Sequence, residues 1–373
     1  MTSLNSVHVV GPHAGAGWIS ISNYTGEVVG LSGTCGVSMR RGSASWWAPW
    51  PAGRLLDARR GLPRLERASA GTSDLVHLTD QGLAHHVRTF AGVPTVVTCH
   101  DLMPFVVEGF YTGRLRGLSA RALLKPCLRG MLAATRIIAV SEITARDVQV
   151  CLGIPASRIS LVPVPISDDF VPVADAEEWL LGNGIALPPK PRVLSIGNAS
   201  HHKNLELLIR AMAEPEGAGA ALVRAGAPLT QGQRSLAGEL GVLQRTHELG
   251  HVSREALVRL YNACQVLAQP SLYEGFGMPV AEAMACGTPV VCSDGGALPE
   301  TAGGAALVVA LDPQAPARSQ ETVRAFARAL CSAWVEEGSA ANLRAAGLLR
   351  AQALRPLSIS GALFGAYEAA FGG

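Results

Sequence analysis

Two glutamates eight residues apart, Glu274 and Glu282, stand in the segment whose residue types most clearly indicate chemistry. The segment follows an apolar run, passes through a turn with Gly275 and Gly277, and continues into a helix-like pattern. Carboxylates only accept hydrogen bonds, so the paired hydroxyls of a sugar or a ribose are natural partners for them. The N–H groups of a glycine-rich turn at a helix start favour phosphate and sugar oxygens. The segment predicts a crevice at the C-terminal ends of parallel strands, lined by both carboxylates.

A structural interpretation of the two glutamates is also open. Glu274 would then cap the helix and Glu282 would lie on its surface. That interpretation explains Glu282 poorly, because its neighbours at 280–281 and 283–285 are all apolar.

A lysine follows the apolar run that opens the second half of the chain, in the segment Ser195–Leu205. Lys203 near a helix start is suited to neutralise a diphosphate, as a compact charge beside helix N–H groups. It is one of three lysines, with Lys125 and Lys190, in an arginine-rich chain. This rarity favours a particular role for it.

An apolar run from Thr95 ends in the pair His100-Asp101. Such strand ends are where α/β enzymes place reactive groups. By itself the pair is weak evidence, since histidines also cap strands or pack in cores.

A glycine-rich loop follows the first apolar run, with Gly15 and Gly17. It does not fit a dinucleotide fingerprint, because Ser20 stands where the third glycine is required. The glycines would still let the backbone approach a phosphate closely.

Short apolar runs alternate with helix-period segments along the chain, which is typical of parallel α/β folds. The sequence predicts an α/β protein with an N-terminal Rossmann-like domain over 1–173, a proline-rich linker over 174–191 and a second Rossmann-like domain over 192–355. A C-terminal helix over 356–373 can pack back on the first domain. A further helix over 118–132 is expected to bend or break at Pro126.

At these motifs the sequence resembles the retaining family 4 glycosyltransferases of the GT-B fold, in which two Rossmann-like domains face each other across a cleft. The Glu274-to-Glu282 spacing matches the family's Glu-x7-Glu element, and the segment His100-Asp-Leu-Met-Pro104 resembles its mannosyltransferase-like members. Together with three weaker matches, these motifs run from about residue 10 to residue 311 in the family's order.

The resemblance implies roles for individual residues. Glu274 would contact hydroxyls of the donor sugar, and Glu282 would hold the ribose. Lys203 would stabilise the leaving diphosphate, while Asn198 stands where the family often has an arginine. The implied catalytic residues are His100, Asp101, Lys203 and Glu274. The implied donor-binding residues are Gly15, Gly17, Asn198, Lys203, Val252, Glu274, Gly275, Phe276, Gly277, Met278 and Glu282.

Composition excludes several other classes of protein. Charged residues make up 16% and hydrophobic residues 48%, so extended disorder is not expected. No apolar run is long enough for a membrane span, and the start at Met1 lacks signal-peptide character. The eight cysteines form no C-x-x-C pair, which favours buried thiols. We therefore expect a soluble cytoplasmic protein.

The net charge of +2 is unevenly distributed. Residues 1–173 hold 16 Lys and Arg against 11 Asp and Glu, a balance of +5, and the remainder holds 15 against 18, a balance of −3. A basic first half suits an anionic lipid-linked acceptor or peripheral contact with the inner membrane face. Solvated arginines on helices are the simpler explanation. Nucleic acid is not indicated.

Three tryptophans, Trp46, Trp47 and Trp50, lie in a proline-rich segment outside the resemblance. They could stack on a sugar, lie at a membrane interface or pack on the domain.

The motifs and the resemblance together imply a metal-independent, retaining glycosyltransferase without a cofactor. Its donor would be GDP-mannose or a UDP-sugar, and its acceptor a glycan, a lipid-linked molecule or a small molecule. Two alternatives are a sugar-nucleotide epimerase or phosphorylase on the same fold, and a non-catalytic binding or partner subunit.

Overall fold

The computed structural model describes residues 4–12, 19–34, 37–44, 73–106, 118–335 and 337–372. The chain divides into two compact units. Unit 1 comprises Met1–Pro165 with Arg355–Gly373, and unit 2 comprises Ile166–Leu354. The segment 174–191, expected to be a linker, carries a helix and belongs to unit 2.

The regular elements of unit 1 up to residue 165 are six strands, four α-helices and three 3-10 helices (Leu31–Gly33, Gln81–Phe90 and Ala156–Arg158), counted over the described residues. The strands are β1 (Ser6–Pro12), β2 (Ser38–Ala44), β3 (Leu75–Leu78), β4 (Thr95–Cys99), β5 (Arg136–Ala139) and β6 (Ile159–Leu161). The α-helices are α1 (Ile19–Gly30), α2 (Met103–Val106), α3 (Leu118–Ala133) and α4 (Glu142–Leu152).

Unit 2 has six strands and eight α-helices in its described residues, and one more helix then returns to unit 1. The strands are β7 (Arg192–Gly197), β8 (Ala221–Gly226), β9 (Thr246–Gly250), β10 (Val266–Gln269), β11 (Val290–Ser293) and β12 (Leu307–Val309). The helices are α5 (Ala176–Gly182), α6 (Leu205–Ala213), α7 (Gln231–Glu239), α8 (Arg254–Ala263), α9 (Met278–Ala285), α10 (Leu298–Ala302), α11 (Gln320–Val335) and α12 (Glu337–Gln352). The returning helix is α13 (Pro356–Phe371).

Each unit is built on one parallel sheet. The order is β2-β1-β3-β4-β5-β6 in unit 1 and β12-β11-β10-β7-β8-β9 in unit 2. Every described strand pair is parallel. Central strands of such sheets are covered on both faces and are therefore apolar, as the fully buried β3, β4 and β10 show. The predicted α/β class is confirmed.

Two helices show how local sequence acts on structure. The hydroxyl oxygen of Ser141 accepts a hydrogen bond from the Thr144 N–H at 3.2 Å and so caps α4, a position at which serine is preferred. Helix α3 runs through Pro126 without a break, so the expected interruption is not found, and the expected bend stays a prediction. None of the seven described cysteines forms a disulfide, and five of them are buried. No helix in the described part of the chain combines the length and apolarity needed to cross a bilayer.

Candidate active site

The loop after β7 carries Lys203. Gly197, the last residue of β7, has a φ of +118°, which favours glycine, and a β-carbon built there would lie 3.6 Å from Cε of Lys203. The lysine side chain therefore lies over Gly197, and its short loop ends where α6 begins at Leu205. The structure thus presents Lys203 at the carboxyl end of a central strand.

The loop after β10 carries Glu274. Gly277 has a φ of +98° and precedes α9, with Pro279 in the first helical turn, where a missing N–H costs nothing. The strands β7 and β10 are parallel neighbours, so their carboxyl ends meet at one sheet edge. This adjacency brings Lys203 and Glu274 together although 71 residues separate them.

Three donors converge on a single oxygen of Glu274. Oε1 accepts hydrogen bonds from Nζ of Lys203 at 2.6 Å, from Oγ of Ser271 at 2.6 Å and from Nε2 of Gln269 at 2.7 Å. Burial alone would raise the pKa of Glu274, but the Lys203 ammonium and the hydrogen bonds from Lys203 and Ser271 hold it below its ordinary value. Glu274 is therefore an ionised, oriented carboxylate at neutral pH.

A glycine pair after β11 fixes the backbone around Glu274. A β-carbon at Gly295 would lie 2.1 Å from the Ser271 carbonyl oxygen, and one at Gly296 would lie 2.4 Å from that of Glu274. The same Glu274 carbonyl accepts a hydrogen bond from the Ala297 N–H at 2.9 Å. The turn at 295–297 thus packs against the Glu274 backbone and helps to hold that residue in position.

The second glutamate has a different partner. Oε2 of Glu282 accepts a hydrogen bond from the Tyr261 hydroxyl at 2.7 Å. Burial raises the pKa of Glu282 to about 7, against the opposing effects of the Tyr261 hydrogen bond and the positive charge of Arg254. Tyr261 is fully buried, and its carbonyl oxygen accepts from the Thr288 hydroxyl at 2.7 Å. At neutral pH, Glu282 is therefore close to its pKa, so that its protonated and ionised forms are both populated.

The remaining donor-site residues predicted in unit 2 lie on the same loops or nearby. Asn198 is exposed, and its Oδ1 accepts from the Ser200 N–H at 3.2 Å, which closes the turn before Lys203. Gly275 and Phe276 are buried, Met278 begins α9, and Val252 is half-buried in the loop before α8. Their assignment to the donor site stays a prediction.

His100 in unit 1 lies just after β4. Its ring nitrogen Nε2 lies 2.9 Å from the carbonyl oxygen of Thr79, and its backbone N–H donates to Oε1 of Gln81 at 3.0 Å. A carbonyl only accepts, so Nε2 carries the proton and Nδ1 is the acceptor nitrogen. Burial lowers the pKa of His100, with partial opposition from Thr79 and Asp101. The imidazole is therefore neutral at pH 7.

Asp101 lies two residues before the short helix α2. Its Oδ1 accepts a hydrogen bond from the Met103 N–H at 3.0 Å, and its carbonyl oxygen accepts from Nε2 of Gln81 at 3.2 Å. A role toward an acceptor stays a prediction. The other predicted residues in the first half, Gly15 and Gly17, and the tryptophans Trp18, Trp46, Trp47 and Trp50 lie outside the described residues.

A buried polar chain extends from His100 to the C-terminal helix. The Tyr24 ring meets the His100 ring edge to face at 5.0 Å, and its hydroxyl lies 3.1 Å from the Thr98 hydroxyl. The Thr98 hydroxyl lies 2.7 Å from Nε2 of His77. Nδ1 of His77 in turn lies 2.8 Å from the Tyr367 hydroxyl. Burial lowers the pKa of His77 to about 3. This chain ties α1, β3, β4 and α13 together in unit 1.

Sequence reasoning missed four residues that surround the predicted ones: Tyr261, Gln269, Ser271 and Arg224. Arg224 gave a recognisable signal, because it is a charge within the apolar run 221–226. The other three gave none, since their importance depends on contacts across the fold. Among the described residues, no group of three or more His, Cys, Asp or Glu side chains could hold a metal ion.

Comparison with known proteins identifies the family of this chain. Residues 22–170 match the family described as Glycosyltransferase Family 4, and residues 184–328 match Glycosyl transferases group 1. The chain belongs to glycosyltransferase family 4.

The individual relatives are between 17% and 31% identical to this chain over the matched residues. The O-antigen chain mannosyltransferase B of Escherichia coli is 31% identical over 224 residues. The match covers 57% of this chain and 56% of that protein, so it spans about half the length of the relative. Sucrose-phosphate synthase from Thermosynechococcus elongatus has a TM-score of 0.73 at 22% identity over 99% of both chains. Anabaena HepE, solved in complex with UDP-glucose, has a TM-score of 0.70 at 17% identity, over 97% of this chain and 99% of that one. These structures share the GT-B fold.

Proposed function

We propose that this protein transfers a hexosyl residue from a nucleotide-diphosphate sugar to a hydroxyl group of an acceptor, with retention of anomeric configuration and without a metal ion. The observation that carries the proposal is the convergence of Lys203, Gln269 and Ser271 on Glu274 beside the start of α9. An ionised carboxylate beside a cation and helix N–H groups suits a sugar and its diphosphate together.

Each part of the donor has a proposed partner. Glu274 accepts hydrogen bonds from hydroxyls of the sugar, and Glu282 accepts from those of the ribose. When the bond between sugar and phosphate breaks, negative charge develops on the diphosphate. Lys203 and the N–H groups around Gly277 stabilise that charge, the electrostatic task that a metal ion performs in other transferases. In unit 1, His100 has Nδ1 as its acceptor nitrogen and would accept a hydrogen bond from a substrate hydroxyl.

The donor is proposed to be GDP-mannose or a UDP-sugar. The mannosyltransferase relative from Escherichia coli supports the first, and the UDP-glucose complex of HepE supports the second. The acceptor is proposed to be a glycan, a lipid-linked molecule or a small molecule.

A thermal-shift experiment with EDTA present tests the donor site. Wild type would be melted with GDP, UDP, ADP and TDP, and ligand at about a hundred times its dissociation constant should add roughly 2.7 kcal/mol of stability. Glu282→Gln should lose most of the shift, whereas Glu239→Gln, at an exposed position on α7, should keep it. Absence of a shift with every nucleotide would contradict the proposal.

A transfer assay tests the reaction. GDP-mannose, UDP-glucose and UDP-N-acetylglucosamine would each be supplied with an acceptor panel and EDTA, and the anomeric configuration of the product read by proton NMR. Retention is expected. An inverted product, or turnover that requires a divalent ion, would contradict the mechanism. Release of an altered sugar nucleotide without an acceptor would favour an epimerase.

A further inference from the structure

Arg224 is a buried cation in the sheet of unit 2. It lies on β8 and is 1% exposed. Its guanidinium donates to Oγ of Ser195 at 3.0 Å and to the carbonyl oxygens of Gly197 and Asn198 at 2.8 and 2.9 Å. All three acceptors are neutral, and Nε has no hydrogen-bond partner among the described residues. A buried charge is costly unless an opposite charge compensates it.

The nearby acidic group compensates that charge only in part. Burial lowers the pKa of the Arg224 guanidinium to about 10, although the negative charge of Glu248 acts to raise it. However, the Glu248 carboxylate is ion-paired with Arg234 and accepts a hydrogen bond from the Leu229 N–H. Arg224 therefore leaves an excess of positive charge beneath the loop that follows β7.

That loop is the one that carries Lys203. The Gly197 peptide lies between the two cations, because its carbonyl oxygen contacts the Arg224 guanidinium and its Cα lies under the Lys203 side chain. Asn198, the next residue, brings no charge. Arg224 and Lys203 together outweigh the Glu274 carboxylate by one positive charge, and Glu248 is balanced by Arg234, so the region has a net charge of about +1 before a ligand binds.

Arg224 also orients the backbone of the loop. In a trans peptide the carbonyl and the following N–H point in opposite directions. Because the carbonyl oxygens of Gly197 and Asn198 point toward the guanidinium, the N–H groups of Asn198 and Ala199 point away from it. Successive N–H groups directed to one side form a concave site that favours anions.

We propose that Arg224 is the second positive charge of the diphosphate site, acting through the loop 197–203 on a phosphate bound by Lys203 and the loop N–H groups. It is a positioning residue that does not touch the ligand, and its charge acts at short range in a region of low dielectric constant. This inference rests on the proposed nucleotide-sugar donor.

The test separates charge from packing. Arg224→Gln and Arg224→Met remove the charge, the second with an apolar chain suited to the apolar β8, and Arg224→Lys retains it. Dissociation constants for GDP, GMP, UDP and UMP would be measured by calorimetry, beside thermal unfolding without ligand. We expect each neutral variant that folds to lose about tenfold in affinity for the diphosphate and at most threefold for the monophosphate. Arg224→Lys should stay within threefold of wild type for both.

A rescue experiment completes the test. Asn198→Arg places a cation on the exposed face of the loop, and in the Arg224→Gln background it should restore diphosphate affinity at least fivefold. Equal losses for diphosphate and monophosphate, or no loss in a folded neutral variant, would overturn the inference. Failure of the wild type to bind any of the four nucleotides would instead contradict the proposed donor.

Discussion

The Tyr261 hydroxyl donates a hydrogen bond of 2.7 Å to Oε2 of Glu282, and it does so from a fully buried position on the preceding helix α8. The tyrosine backbone is held in turn by the Thr288 side chain. The hydrogen bond holds Oε2 of Glu282 in place and so restricts the orientation of the whole carboxylate. Three of the predictions below concern this carboxylate, and two concern Glu274.

Tyr261→Phe should weaken nucleotide binding. A hydrogen bond to a charged group contributes about 1.5–3 kcal/mol, so a tenfold or larger increase in the dissociation constant is expected by calorimetry. The 2′-deoxynucleoside diphosphate is the control, because it cannot use the ribose hydroxyl. If the variant weakens both ligands equally, Tyr261 does not act through contact between Glu282 and the ribose.

Nucleotide binding should release a proton near pH 6.5. The pKa of Glu282 is raised to about 7 without ligand, and hydrogen bonds from ribose hydroxyls favour the ionised form, so binding lowers that pKa. Affinity should therefore rise with pH up to about 7 and then level. Calorimetry in buffers of different ionisation enthalpy measures the proton, and Glu282→Gln should abolish its release.

The raised pKa of Glu282 also predicts a pH dependence of folding. The native state retains the proton to a higher pH than the unfolded chain, so the free energy of unfolding should fall as pH rises from about 4.5 to 7. Glu282→Gln should remove a loss on the order of 2 kcal/mol over that range, as measured by thermal unfolding without ligand. An unchanged pH profile would show that Glu282 ionises normally.

Lys203→Met should destabilise unit 2 at neutral pH by about 3 kcal/mol, because it leaves the Glu274 carboxylate without its cation. Adding Glu274→Gln should restore most of that stability. The pKa of Glu274 is held low, so its contribution is present above about pH 4.5 and is lost as pH falls. In Lys203→Met, the free energy of unfolding should therefore fall less than in wild type when the pH is lowered below about 4.5. Additive effects in the double variant would argue against the pairing.

Gly296→Ala should be more harmful than Gly304→Ala. Both glycines have positive φ, +62° and +82°, so alanine is strained at either position. A β-carbon would meet the Glu274 backbone at 2.4 Å in the first case and nothing within 4 Å in the second. Thermal unfolding should show a loss of about 1 kcal/mol for Gly304→Ala and at least twice that for Gly296→Ala, which should also lose nucleotide affinity. Equal losses would mean that the turn does not support Glu274.

Much of the fold could be predicted from the sequence. The apolar runs at 192–197 and 266–269 predict two strands with the bounds observed for β7 and β10, because buried parallel strands are continuous apolar runs. The strands β2, β6 and β9 were not predicted. All three lie at sheet edges, where one side lacks a neighbouring strand, and β2 and β9 have polar sequences, Ser-Met-Arg-Arg-Gly-Ser-Ala and Thr-His-Glu-Leu-Gly.

The candidate site could be predicted only in part. The positions of Glu274, Glu282 and Lys203 followed from a local motif. Their partners did not, because the contact between Lys203 and Glu274 spans 71 residues and that between Tyr261 and Glu282 spans 21. Such pairs are set by which strands lie side by side, and the order β10-β7-β8 cannot be read from spacing along the chain.

The bond between His77 and Tyr367 joins residues 290 positions apart, and both belong to unit 1. Every residue of unit 2 lies between them in the chain. During synthesis, the ribosome therefore makes all of unit 2 before it makes the helix that satisfies His77. Domains usually fold in the order in which they are translated. In this protein the unit that begins first is completed last, so a nascent chain would hold a finished unit 2 while the polar interior of unit 1 still awaits Tyr367.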